Sequence, residues 1–142
     1  MRARVAVSEA PDPRVPSVVR CMVAIAIVKS ALATVGLGRT MRWVRHRVTD
    51  VAVREGVSSA CVARWEYAVA MAAALYPGRA QCLERSLVLF YLARRSGIGV
   101  TYHHGVRSQP FAAHAWVEFE GSIVNDVSEH ILLYQRFPQV CP

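Results

Sequence analysis

Cys82, His114 and Asp126 are the residues whose types and order can do chemistry together. A thiolate at 82 can attack a carbonyl. An imidazole at 114 can take and return the proton, and a carboxylate at 126 can hold the imidazole tautomer and stabilise the imidazolium. Cys82 falls at the predicted start of a helix, where unpaired amides and the helix dipole favour an anion. They lower a thiol pKa and can hold an oxyanion. The competing reading is a plain buried cysteine, since cysteine is among the most buried residue types.

His114 lies in PFAAHAWVEFEG, where alternation puts His114, Trp116 and Glu118 on one face of a strand and Ala115, Val117 and Phe119 on the other. A single histidine in such a strand is more often structural than catalytic. Glu118 is the reserve carboxylate. Whether Asp126 reaches His114 depends on the hairpin between them. A three-residue loop over 119–121, with Gly121 left-handed, sets Asp126 opposite His114. A two-residue loop turns Asp126 to the other face and makes Asn125 the partner. His103 and His104 are adjacent, so they point to opposite faces. A Cys82/His103/His114 metal site is conceivable, but no spacing resembles a zinc motif, and neither metal nor cofactor is expected. His130 lies in a tail too mixed to assign.

These residues need elements to position them. Residues 1–16, polar with three prolines, read as a loose arm. Residues 17–78 read as three helices. In the first, Val18, Cys21, Ile25, Val28, Leu32 and Val35 recur at helical spacing until Gly36 and Gly38 stop it. A shorter helix over 39–55 carries Met41, Val44, Val48 and Val51 on one face. Arg39, Arg42, Arg45, His46 and Arg47 crowd that segment as a solvated face or a docking surface. Ser58-Ser59 caps the third, with Val62, Trp65, Val69, Ala72 and Tyr76 as its stripe and Pro77-Gly78 as its end. A fourth helix over 82–95 is apolar on two edges, hence largely buried, and closes on Arg94-Arg95 and Gly97. Strands follow at 99–107, 111–119 and 122–127. The order predicts an α+β fold with a small antiparallel sheet.

Composition sets the frame. The chain has 142 residues, 54% of them hydrophobic and 19% charged, which suits one domain with a core and excludes general disorder. The net charge of +7 comes almost wholly from arginine, a bias that matches G+C-rich bacterial codon usage and says little about partners. No aromatic-interleaved basic module marks a nucleic-acid binder. No run of about 18 uninterrupted apolar residues marks a membrane span, and Arg20 and Lys29 interrupt the first helix, so it is read as buried or partner-facing. The cysteines at 21, 61, 82 and 141 form no CxxC pair, and Glu9 and Asp12 stand where a signal peptide would be apolar. A reducing cytoplasm and free thiols are expected.

Over residues 79–127 the chain resembles the transglutaminase-like leader peptidases of lasso-peptide biosynthesis, the protease half of the B protein in those pathways. The resemblance rests on Cys-Leu-x-Arg-Ser-Leu from Cys82 and Gly-Val-Arg at 105–107. Pro-Phe-x-Ala-His-Ala-Trp-Val-Glu at 110–118 and Asn-Asp at 125–126 complete it. It implies a papain-like α+β core over 79–142, with Cys82 as nucleophile, His114 as general base and Asp126 as third member. Arg85 and Arg107 also match, with structural ion pairs as their plain reading. The implied activity is removal of the leader from a precursor peptide, after which an ATP-dependent cyclase joins the freed N-terminus to an acidic side chain.

Fused members carry an N-terminal leader-binding domain. Residues 17–78 read as helices rather than the β-containing pattern of such a domain. The resemblance therefore implies the split form, working with a separate recognition protein that docks on 17–35 or 39–47. The rival expectations are an acyl transferase sharing the same acyl-enzyme, and a small basic binding protein in which Cys82 is merely buried.

Overall fold

The computed structural model describes residues 11–138. Most of the arm, residues 1–10, and Cys141 lie outside the described residues. The described end of the arm is pinned rather than loose. Asp12 accepts hydrogen bonds from Ser58 N (3.3 Å) and Ser58 Oγ (2.9 Å), and Pro13 and Pro16 are buried.

The chain runs α1 (Val18–Thr49), α2 (Ser59–Leu75), α3 (Cys82–Arg95), β1 (Val100–Ser108), β2 (Phe111–Phe119), β3 (Ser122–Ile123), α4 (Ser128–Ile131) and β4 (Gln135–Arg136). The strands form one antiparallel sheet in the order β3-β2-β1-β4. This is the α+β architecture expected, with two revisions in the helices. The first two predicted helices are one 32-residue element, kinked rather than ended at Gly36, where φ is 79° and ψ is 172°. It stops at Thr49, short of the predicted 55. By length and composition α1 could cross a membrane, with a mean hydropathy of 2.0 over its most apolar window. One face nevertheless belongs to the core: Cys21, Ile25, Val28, Met41, Val44 and Val48 are buried.

Helix α2 starts where Ser58 predicted, its hydroxyl accepting from Cys61 N at 3.0 Å. It buries Val62, Trp65, Val69 and Ala72 against α1 and α3. Helix α3 is the centre of the molecule, with Ser86 through Leu89, Leu92 and Ala93 all buried. Its capping bond runs from Gln81 N to Glu84 Oε2 (3.0 Å). At its other end Arg94 donates to Val48 O and Val51 O (3.4 and 3.3 Å), tying α3 to the last turn of α1 and the residues just past it. One apolar cluster joins α1, α2, α3, β1 and β2.

The hairpin from β2 to β3 takes the second of the two registers left open by the sequence. Phe119 pairs with Ser122 and Glu118 with Ile123, so the loop has two residues, Glu120 and Gly121. Both have positive φ (49° and 79°), which matches the right-handed twist of the flanking strands. The predicted third strand also shrinks from 122–127 to two residues. Val124 N still bonds Val117 O at 2.9 Å, but then the Asn125 side chain takes Val117 N at 2.8 Å. A side-chain acceptor in place of the next backbone carbonyl ends the ladder and frees the chain to bend.

Candidate active site

β2 presents His114, Trp116 and Glu118 on one face, as alternation predicts. Register puts Gly105, His103 and Thr101 of β1 opposite them. Gly105, opposite His114, also lies under β4: a Cβ there would come 2.5 Å from Gln135 O. Glycine is what lets β4 approach so closely. The covering is effective. Trp116 is fully buried, with the Arg136 guanidinium 5.3 Å above its ring.

His114 and Asp126 are brought into direct contact, His114 Nε2 hydrogen-bonding Asp126 Oδ2. The two-residue loop would have turned Asp126 away had the strand continued, and the early end of β3 is what swings it back. Asn125 does not become the partner of His114. It ties the site together instead: its Nδ2 donates to Ser86 Oγ at 2.8 Å, and Ser86 Oγ donates to Ala115 O at 3.0 Å. Ser86 stands one helical turn after Cys82. The first turns of α3 therefore lie along the stretch of β2 edge that β3 leaves open, beside His114.

Cys82 is the first residue of α3 and is half-buried. Among the described residues it makes no hydrogen bond, so the structure does not join its thiol directly to His114. It is close enough to Tyr102 for its charge to push the phenol up, second to burial, which is the main cause. His114 uses Nε2 for Asp126, and among the described residues nothing hydrogen-bonds its Nδ1.

Sequence reasoning missed the surroundings of Asp126. His130 Nδ1 lies 3.0 Å from Asp126 Oδ2 and Val127 N donates to Oδ1 at 2.7 Å. Burial alone would raise the Asp126 pKa. The hydrogen bonds from His130, Val127 N and His114 outweigh it and hold the carboxyl below its ordinary value. Tyr134 packs on both rings, 5.2 Å from His114 and 5.3 Å from His130. Arg107 donates to Pro110 O (3.2 Å) and lies over Tyr134. The available signal was spacing: His130 follows Asp126 by four residues, so one turn of helix returns it. Arg85 pairs with Glu66 at 3.4 Å, the plain structural role.

Glu118, the reserve carboxylate, is fully used elsewhere. It accepts from Trp116 Nε1 (3.0 Å) and Arg136 (2.6 Å) and lies 3.4 Å from His103 Nε2. Burial would raise its pKa, but these donors lower it on balance. Burial pushes His103 down, with Glu118 opposing, and pushes His104 down with help from Arg45. The conceivable Cys82/His103/His114 ligand set does not assemble. Among the described residues the one group of metal-binding donors is His114, Asp126 and His130.

An imidazole with one nitrogen on an ionised carboxylate and the other unengaged, beside a helix that begins with cysteine, is an arrangement that can carry acyl chemistry. No curated protein and no solved structure matches the chain. The transglutaminase-like superfamily does, over residues 21–138, and it includes cysteine peptidases and acyl transferases. The matched span takes in the helices of the first half as well as the sheet and all three candidate residues. This chain belongs to the transglutaminase-like superfamily.

Proposed function

We propose that the chain is a cysteine peptidase that removes the leader from a lasso-peptide precursor. Cys82 is the nucleophile, His114 the proton carrier and Asp126 the residue that orients His114. The observation that carries this reading is the His114–Asp126 hydrogen bond through Nε2. It leaves Nδ1 as the nitrogen that accepts the Cys82 proton. The thiolate sulfur then bonds the scissile carbonyl carbon. The tetrahedral intermediate collapses, the C–N bond breaks, and the imidazolium gives its proton to the leaving amine. Water, deprotonated by the same imidazole, cleaves the thioester and releases the leader acid and free Cys82. The unpaired amides of the first turn of α3 supply donors for the oxyanion.

We propose further that a separate leader-recognition protein docks on α1 and that the work is done in the cytoplasm, beside the cyclase that consumes the product. Two features support the docking surface. Val19, Val23 and Ile27 are each more than half exposed along one side of α1, and no acidic residue occurs from Val18 to Thr49 while six basic ones do. A contiguous apolar strip of this kind marks an interaction face.

The test mixes the chain with the precursor peptide and the leader-binding protein encoded beside it, and reads peptide masses. The expected result is leader loss with wild type and none with Cys82→Ala. An uncut precursor with folded wild type and a leader demonstrably bound by its partner overturns the peptidase reading. A leader joined to an added amine moves the reaction to acyl transfer. Charge reversal at Arg39 and Arg42, or Ile27→Glu, should abolish complex formation.

A further inference from the structure

We infer that His114, Asp126 and His130 form a binding site for one zinc ion, and that the ion switches the proposed peptidase off. The inhibitory half rests on that reading; the metal site does not. Donor atoms from the three residues all lie within 4.8 Å of one another, and His130 Nδ1 is already 3.0 Å from Asp126 Oδ2. A tetrahedral zinc ion with ligands at about 2.0–2.2 Å needs donors about 3.3 Å apart, which small ring rotations supply. Two imidazoles and one carboxylate suit zinc and its late transition-metal neighbours rather than magnesium or calcium, which prefer oxygen.

The site is also held in shape. Val127 N fixes Asp126 Oδ1 and leaves Oδ2 turned to the two rings. Tyr134 packs on both rings and Trp116 stacks on His114. Supports of this kind keep ligands oriented. The His130 side chain is 39% exposed, so an ion can enter from that side.

The inhibitory consequence follows from proton positions. Zinc on His114 Nε2 and His130 Nδ1 obliges each neutral ring to keep its proton on the other nitrogen, Nδ1 of His114 and Nε2 of His130. A proton on His114 Nδ1 removes the lone pair that the Cys82 thiol needs. No net redox change is involved, and a chelator reverses the state.

The test titrates the full chain, stripped with chelator and carrying Cys82→Ala and Cys141→Ser to remove competing thiols, with Zn²⁺ by calorimetry. One ion per chain is expected, with affinity lowered about tenfold or more by His130→Ala, and likewise by His130→Gln should the alanine variant fail to fold. Absence of stoichiometric binding, or both variants binding as tightly as the parent, overturns the site. Cleavage by the thiol-intact chain is then read with Zn²⁺ and after chelator. Zinc binding without effect on a working cleavage overturns the switch. Zinc binding by a chain that cleaves nothing under any condition overturns the peptidase reading and leaves the metal site standing.

Discussion

Two carboxylates on neighbouring parts of the same sheet face have opposite fates. Glu118 is gripped by an indole N–H, a guanidinium and an imidazole, and every partner is a stationary part of the wall around Trp116. Asp126 is held by one backbone N–H and two histidines, and each of those histidines keeps a nitrogen unengaged among the described residues. The first arrangement spends its carboxylate on fixing β4 to the sheet. The second spends it on fixing the orientation of a ring that can still move a proton. Charge and burial are alike at the two places, so the chemistry lies in what the partners have left over.

The largest expected effect separates the two histidines that face these carboxylates. His114→Ala and Cys82→Ala should each lower leader cleavage by at least about 10³-fold, because a nucleophile and its base act as one unit. His103→Ala should leave the rate within about tenfold and lower the unfolding midpoint instead. Peptide masses against time, with thermal melts alongside, read both. A His103 variant as inactive as the His114 variant would break the comparison.

The pattern of what the sequence told in advance follows the same divide. Helix α3 was legible because its amphipathicity, its basic last turn and Gly97 agree. β1 and β2 were legible from alternation over nine residues each. The hairpin register was not, because Glu120 adopts positive φ, a conformation that glutamate composition does not announce. Asp126 came to His114 by a route the pattern did not contain, the Asn125 side chain standing in for backbone. His130 and Arg136 sit in elements of four residues or fewer, with Tyr134 in the bend between them, too short for any period to register. Arg94 illustrates the middle case: its place at a helix end was readable, its bonds to the distant end of α1 were not.

A stability measurement should rank the carboxylates the other way round. Glu118→Ala leaves the Trp116 N–H buried without its acceptor and should cost about 1–3 kcal/mol in urea unfolding. Glu118→Gln, which keeps an acceptor, should lose less. Asp126→Ala should cost less than Glu118→Ala while lowering activity more, since none of its partners is fully buried as Trp116 is. Equal stability losses would mean that both clusters are structural.

Acid should take the molecule apart in two stages. Burial holds His103 and His104 below their ordinary value of 6.5, so as pH falls through that value the unfolded chain binds protons that the folded chain refuses. Their contribution is complete above the ordinary value and is lost on the way down to the folded one. Asp126 and Glu118, both held below their ordinary 3.8 and 4.5, contribute stability that is complete above those values and is lost on the way down to the folded ones. Unfolding curves at successive pH should show both slopes. His103→Gln with His104→Gln should flatten the upper slope most, with a smaller change in the lower one where His103 faces Glu118.

The smallest effect concerns the tie between helix and strand. Ser86 is fully buried, donates to Ala115 O and accepts from Asn125. Ser86→Ala removes both hydrogen bonds and should cost about 1–2 kcal/mol. Its effect on kcat should exceed its effect on KM, because the hydroxyl sits one turn from Cys82 and sets how the first turn of α3 meets β2 without touching peptide. If Ser86 only stabilises, rates measured well below the unfolding temperature will match wild type. A lowered kcat at unchanged KM would instead mean that the distance between thiol and imidazole is governed from this side of the strand, through a residue that neither carboxylate touches.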